Sequence, residues 1–305
     1  MDNPQIALTP TRVANPPVDL VLSKPRGLLS DTFRRVRKNP GAMLGLIVLV
    51  AIVLIAIFAP LIAPYDPIRQ NTQLIRTGPS LSHLFGTDSF GRDVLSRVMY
   101  GGRYSLPVGL VAVVIASFFG VLAGLTAGYF GRWVDAVIMR IVDMMLAFPG
   151  ILLVMAIVAI LGGNLFNLML AVGLSSIPDY TRVVRGSVLS VRESEYITAT
   201  RVLGASNWSI MIRHILPNVL PPIIVLATLG IAGAIILGST LSFLGLGIQP
   251  PTPEWGSMLS DGRTILRTSW WVSFFPGLAI MLTVLAINLL GDGLRDALDP
   301  RLRNR

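Results

Sequence analysis

The chain has 305 residues, of which 53% are hydrophobic and only 13% charged, with a mean hydropathy of +0.70. Soluble domains carry about a quarter charged residues, so this chain lacks the polar material to cover a water-facing core, and a membrane is the solvent that removes that need. The net charge of +9 would point to nucleic acid in a soluble domain, but here the basic residues lie between hydrophobic runs, as in membrane proteins, so no nucleic-acid partner is expected; the absence of cysteine excludes disulfides, thiolate metal sites and cysteine nucleophiles.

A bilayer core takes about 20 mostly apolar residues to cross, and six segments qualify. Runs this long must be helices, so the expected fold class is all-α, a polytopic membrane protein with six transmembrane helices. Residues 1–41 read as a cytosolic, partly disordered leader, too long and polar before the first apolar run to be a cleavable signal. The first span, within 42–64, runs from about Ala42 to Leu61 and stops at Pro60 and Pro64. Residues 65–104 form an extracytoplasmic loop, in which Val94, Leu95, Val98 and Met99 share one helical face and suggest an interfacial helix over Arg92 to Arg103. A five-helix core follows over 105–293. Its spans run from about Leu106 to Tyr129, Val134 to Leu161, Leu165 to Tyr180, Val219 to Leu237 and Val272 to Leu290, with a cytosolic loop at 186–217 and a cytosolic tail at 294–305. With the N-terminus inside, eighteen of the 25 Lys and Arg fall on inner segments, which places both termini in the cytosol.

The second span carries small residues at every fourth position, Ala112, Ala116, Gly120, Gly124 and Gly128, and the fifth repeats the pattern at Gly230, Ala234 and Gly238. Residues four apart share a helix face, and small ones let another backbone come close. Static packing and seams along which two halves rock both fit these stripes.

The inner loop between the fourth and fifth spans reads as a short amphipathic helix holding Glu195, Tyr196, Thr198, Ala199, Thr200 and Arg201. Gly204 stops it, Ala205 follows, and a second helical stretch leads to Leu216 and Pro217. A rigid helix-turn-helix there suits transmission of force from a soluble partner.

This loop resembles the EAA loop of ABC importer permeases, which reads Glu-Ala-Ala, three residues, Gly, nine residues, Ile, one residue, Leu-Pro. The triplet falls on Thr198-Ala199-Thr200, the glycine on Gly204 and Leu-Pro on Leu216-Pro217, with the spacing kept in full. Thr198 stands where the family has Glu, His214 stands at the Ile position, and Glu195 one turn earlier is the candidate substitute carboxylate. Further blocks are similar to the C-type permease subunits of dipeptide and oligopeptide importers: His83 to Asp88 with Gly91 to Arg97, Phe243 to Gly247 leading to Pro250 to Gly256, and Asn288 to Pro300. Together they cover the chain from about residue 30 onward. The resemblance implies a type I ABC importer permease fold in the bacterial inner membrane. It also implies a heterodimer with a second, different permease, two cytosolic ATP-binding subunits and an extracytoplasmic solute-binding protein. The subunit itself would be a non-catalytic permease that binds no cofactor directly, ATP being used by its partners, with membrane lipid around it.

Candidate chemistry elsewhere is sparse. His83 and His214 lie on opposite expected faces and cannot share a metal, and neither a His-Glu-x-x-His nor a phosphate-binding Gly-x-x-x-x-Gly-Lys motif occurs. Asp88, Arg92 and Asp93 read as a capped helix start with local ion pairing rather than an acid pair. Arg140 and Asp143 read as an i,i+3 pair near the inner interface. Asp179, Arg182 and Arg185 read as ending the fourth span, where cations complement the helix dipole. Pro253, Glu254 and Trp255 read as part of an outer loop, either an interfacial anchor or a docking or gating element, with Trp270 and Trp271 as further interfacial anchors. The function these readings imply is import of di- or oligopeptides or glutathione-like peptides by alternating access. The alternatives are the same fold carrying nickel or another small solute, a non-transporting assembly or receptor subunit, and a membrane-embedded enzyme, for which no convergent polar groups are found.

Overall fold

The computed structural model describes residues 34–298. Most of the leader expected over 1–41, and the tail beyond 298, lie outside the described residues. Helix α1 (Pro40–Ile62) starts where Asn39 accepts a hydrogen bond from the Ala42 amide (3.2 Å) and Pro40 takes the first helical position. It ends at extended Ala63 before Pro64, and Pro60 sits inside its last turn.

Helix α2 (Val94–Phe130) has 37 residues, is capped by Asp93, and passes through Pro107 without stopping. At a rise of 1.5 Å per residue it is about 55 Å long. The interfacial helix expected over Arg92 to Arg103 is therefore the beginning of α2. Its apolar face is turned partly into the protein: Val94 is fully buried and Val98 packs against the cluster that holds Trp255 and Trp271. Gly131 ends α2 with φ +65.

The span expected from Val134 to Leu161 is broken. Helices α3 (Arg132–Leu146) and α4 (Gly150–Leu161) meet at an angle of 89°. Pro149 supplies no amide to the ladder and disfavours helical geometry at Phe148 before it. Helix α5 (Leu165–Arg192), capped by Asn164, runs twelve residues beyond the expected end at Tyr180. Helix α6 (Glu195–Val202) is followed by a turn at Asn207–Ser209 and a π-helical stretch, Ile210–Ile215, that joins helix α7 (Leu216–Phe243) directly. Helices α8 (Trp255–Arg263) and α9 (Trp271–Leu298) complete the described chain.

Among the described residues four helices, α1, α2, α7 with its preceding turns, and α9, are long and apolar enough to cross a membrane, and the α3–α4 pair makes a fifth if the bent pair counts as one span. The expected count of six is thus not reached by length and composition alone. The fourth expected segment falls short because α5 carries Asp179, Arg182 and Arg185 in its second half.

Close approaches at glycine fix how the helices run. A Cβ on Gly173 would lie 3.0 Å from the Ala112 carbonyl, and one on Gly128 would lie 2.8 Å from Val188. Positions on α5 therefore increase with those on α2, and the two helices run the same way. Gly109 meets Ile231 and Ile235, whereas Gly238 meets Val108, so α7 runs against α2. Gly45 meets Ala286 and Gly293 meets Ala42, so α1 and α9 are antiparallel. Since α2 and α5 are parallel, the bent α3–α4 pair must return the chain between them. The core lies where α2, α5 and α7 converge: Val108, Ala112, Leu168, Val172, Ala234 and Leu241 are buried together.

Candidate coupling surface and its support

At the end of the bundle where α5 stops, α6 stands on a buried apolar seat. Ile197 points inward and is fully buried with Ile210, Ile215, Val184 and Val188. The other side of α6 is open: Glu195, Tyr196, Thr198, Ala199 and Arg201 are exposed, with Thr200 half-buried. The helix ends as expected at Gly204, whose φ of +83 lies in the left-handed region that glycine enters freely. No atom lies within 4 Å of where its Cβ would be, so the demand at Gly204 is conformational rather than spatial. Ala205 and Leu216 pack at the edge of the seat, and Pro217 is exposed in the first turn of α7.

Polar contacts hold this unit to the bundle. Tyr196 Oη donates to the His214 carbonyl (3.3 Å) and accepts from Asn218 Nδ2 (3.0 Å). Tyr129 Oη, at the end of α2, donates to Asn207 Oδ1 (2.7 Å). Arg192 Nη1, at the end of α5, donates to the carbonyls of Gly128 (3.0 Å) and Tyr129 (3.1 Å). Sequence reading missed three exposed apolar side chains on the open side: Val202 (82% exposed), Leu203 (87%) and Trp208 (68%). The signal was present, as two large apolar residues directly before a helix-stopping glycine have no face to pack on unless a partner supplies one.

The small-residue stripe of α2 is a packing seam against α5. Ala112 and Ala116 are buried, and a Cβ on Gly124 would lie 2.6 Å from the Thr181 carbonyl. Gly120 sits against Tyr180 of α5. The row on α7 faces the same region: Gly230 meets the Tyr180 hydroxyl, Ala234 enters the core and Gly238 meets Val108.

One expected charge pairing and one expected helix-end role are replaced. Asp143 pairs with Arg182 (2.6 Å), both half-exposed, rather than with Arg140. Arg185 binds Asp135, its Nη2 donating to Oδ2 (2.6 Å). Arg182 and Arg185 therefore do not serve a helix C-terminus, because α5 continues to Arg192; they tie α3 to the middle of α5. Asp179 is exposed on the same helix.

The opposite end of the bundle holds a buried charge network. Asp88 accepts from Arg92 Nε (2.6 Å), and Arg97 Nη1 donates to the carbonyls of Pro67 (2.9 Å) and Pro251 (3.3 Å). Asp93 caps α2 through Ser96 (2.7 Å) and faces His83 Nδ1 (2.9 Å). The reading of Asp88, Arg92 and Asp93 as a capped helix start with ion pairing holds, but the site is buried rather than interfacial. Asp261 lies 3.5 Å from Arg92, and burial pushes its carboxyl above the usual range against the opposing pull of Arg92 and Arg97.

Pro253, Glu254 and Trp255 are not an exposed loop. All three are buried. Glu254 caps α8, accepting from the amides of Gly256 (2.9 Å) and Ser257 (2.8 Å) and from Ser105 Oγ (2.9 Å). Burial raises its carboxyl above the ordinary value, and these donors partly offset the rise. Trp255 Nε1 donates to the Val98 carbonyl (2.9 Å) and Trp271 Nε1 to that of Thr87 (3.0 Å). Of the three tryptophans expected as interfacial anchors, only Trp270 is substantially exposed (49%). The reason is amphipathic: an indole buries its area once its N–H finds a carbonyl.

Comparison with known proteins bears on this geometry. Residues 120–304 match the family described as binding-protein-dependent transport system inner membrane component, and residues 27–79 match the N-terminal TM domain of oligopeptide transport permease C. The chain is 51% identical over 274 residues to the dipeptide transport system permease protein DppC of Alkalihalophilus pseudofirmus, covering 90% of each chain. It is 47% identical over 282 residues to the di/tripeptide transport system permease protein DppC of Pseudomonas aeruginosa, covering 90% of this chain and 93% of that one. It is 48% identical over 274 residues to the glutathione transport system permease protein GsiD of Escherichia coli O157:H7, covering 90% of each. Its fold is similar to that of the MetNI methionine ABC transporter in an inward facing conformation, with a TM-score of 0.55 at 19% identity over 67% of this chain and 96% of that one.

Proposed function

Because the chain belongs to the family of binding-protein-dependent transport system inner membrane components, we propose that this permease subunit of an ABC importer carries di- or oligopeptides or glutathione-like peptides across the inner membrane. ATP is hydrolysed in separate ABC subunits. The three relatives described above carry dipeptide, di/tripeptide and glutathione names, which supports a peptide as solute.

The chain crosses the membrane six times in this reading, with α5 as the span that composition alone misses. Its support is the parallel run of α2 and α5, which requires the bent pair to cross back between them. Six crossings place both termini on one side, and the distribution of Lys and Arg makes that side the cytosol. The partners are a second, different permease, two cytosolic ATP-binding subunits and an extracytoplasmic solute-binding protein.

One observation carries the coupling role: α6 presents an exposed face above a seat of fully buried Ile197, Ile210 and Ile215. A helix so mounted moves as a unit with α5 and α7. Closure of the two ATP-binding subunits on ATP would pull on it and switch the spans between inward-facing and outward-facing states, which differ in their affinity for the partners. Glu195 and Thr198 are one turn apart on that face, so the Glu195 carboxylate replaces the glutamate that the related loops carry at the Thr198 position.

The test is uptake of a labelled dipeptide by cells expressing the complete importer. Glu195→Arg should release the ATP-binding subunits during purification and stop uptake, whereas Thr198→Ala should leave both near normal. Full uptake with Glu195→Arg would remove the role given to that carboxylate. Nickel accumulation without dipeptide uptake would overturn the peptide reading while leaving the coupling surface intact.

A further inference from the structure

A cavity of about 620 Å³ opens between α1, α2, α7 and α9, and its walls are almost entirely aliphatic. Its direction follows from the helix directions. Ile57, Arg103 and Ile235 mark the end nearer α8, and Leu49, Leu110 and Thr228 mark the other end. Leu49 to Ile57 on α1 and Gly102 to Leu110 on α2 each span eight residues, or about 12 Å. On α9 the groove continues to Leu290, which packs at the level of Gly45 of α1, so it runs across the middle of the span toward its outer end.

Among the described residues the one charged group on the groove is Arg103, at its outer end. Arg103 is exposed, lies 6.0 Å from the Tyr100 ring and makes no ion pair among the described residues. This differs from Arg92, Arg97, Arg182 and Arg185, each of which is paired with a carboxylate. Arg103 lies on the outer part of α2, a helix longer than the bilayer core, and a cation so placed extends toward the headgroup region.

We propose that this groove binds one phospholipid with an anionic headgroup, its phosphate held by Arg103 and its acyl chains lying along Leu49, Ile57, Leu110 and Ile231. A helix of the partner permease is the poorer occupant, because helices of this chain meet one another on glycine, as at Gly45, Gly109, Gly124, Gly128 and Gly238. The groove walls instead offer branched side chains, and the small pair at its edge, Ala56 and Gly102, is already in mutual contact. Close helix packing in lipid uses small residues, whereas a flexible alkyl chain fits a branched wall. The proposal depends on embedding in a membrane and is independent of which solute is carried.

The experiment is native mass spectrometry of the purified importer, stripped of co-purified lipid and offered dioleoylphosphatidylglycerol or dioleoylphosphatidylcholine. The wild type should retain one phosphatidylglycerol per subunit with a preference of about fivefold over phosphatidylcholine, as one basic residue near an anionic headgroup gives. Arg103→Gln should abolish the preference while still binding both lipids. Leu110→Trp, which fills the groove from an exposed position, should reduce binding of both. Equal retention of the two lipids by the wild type, or a phosphatidylglycerol preference unchanged in Arg103→Gln, would overturn the proposal. So would undiminished binding in Leu110→Trp, or protection of Ile57→Cys from a lipid-soluble maleimide by the assembled partner permease after lipid removal. Dipeptide uptake measured on the same variants reads the transport function separately.

Discussion

Arg192, the last residue of α5, donates to the carbonyl of Gly128 in the last turn of α2 at 3.0 Å. The contact joins the ends of two parallel helices and satisfies carbonyls that a helix end leaves without partners. It also sits directly before α6, so the exposed face proposed for coupling is anchored to both helices.

Replacing this arginine separates anchoring from docking. Arg192→Ala should cost about 1 kcal/mol of stability, as expected for a cation at a helix C-terminus, and should lower uptake several-fold while the ATP-binding subunits still co-purify. Arg192→Lys keeps the charge but offers a point donor in place of a fork and should recover part of the loss. Thermal unfolding and uptake, measured on the same preparations, check both statements.

At Gly204 the two classes of substitution should differ in kind. Gly204→Ala forces a Cβ into the left-handed region at a cost of about 1–2 kcal/mol, meets no neighbouring atom and should lower uptake partially. Gly204→Asp adds charge to the open face and should abolish uptake while the subunit still inserts in the membrane. Membrane fractionation and uptake assays distinguish failure to insert from failure to couple.

The α2–α5 seam predicts a contrast between two glycines. Gly124→Val should destabilise the subunit by about 1–3 kcal/mol through overpacking, because a Cβ there meets the Thr181 carbonyl at 2.6 Å. Gly186→Ala, with nothing within 4 Å, should be neutral or slightly stabilising, since alanine is the better helix former. Unfolding in mild detergent reads the difference directly.

Glu254 predicts a pH effect at the opposite end of the bundle. Burial raises its carboxyl from the ordinary value of 4.5, so the folded protein holds the proton more tightly than the unfolded chain. The stabilisation from that proton is fully present below pH 4.5 and is lost as pH rises through the elevated folded value. Glu254→Gln is neutral at every pH. The wild type should therefore gain stability relative to Glu254→Gln as pH falls from neutral toward 4.5, measured as the difference between their melting temperatures.

Membrane embedding, helical class, the capped start at Asp93 and the stop at Gly204 were all determined by the sequence, because each depends on local composition or on groups within a few residues. The glycine and alanine rows announced close packing in the same way, and the spacing from Thr198 to Pro217 singled out the loop proposed for coupling. Tertiary structure alone decided which helix meets the α2 row, that α3 and α4 bend by 89°, and that Asp143 pairs across to Arg182 instead of along its own helix. It also decided that Pro253, Glu254 and Trp255 go inside. A buried carboxylate or indole is tolerable only when donors and acceptors from distant segments arrive together, here Ser105 for Glu254 and the Val98 carbonyl for Trp255. Those partners are about 150 positions away, and nothing in the local pattern of Pro-Glu-Trp encodes their arrival.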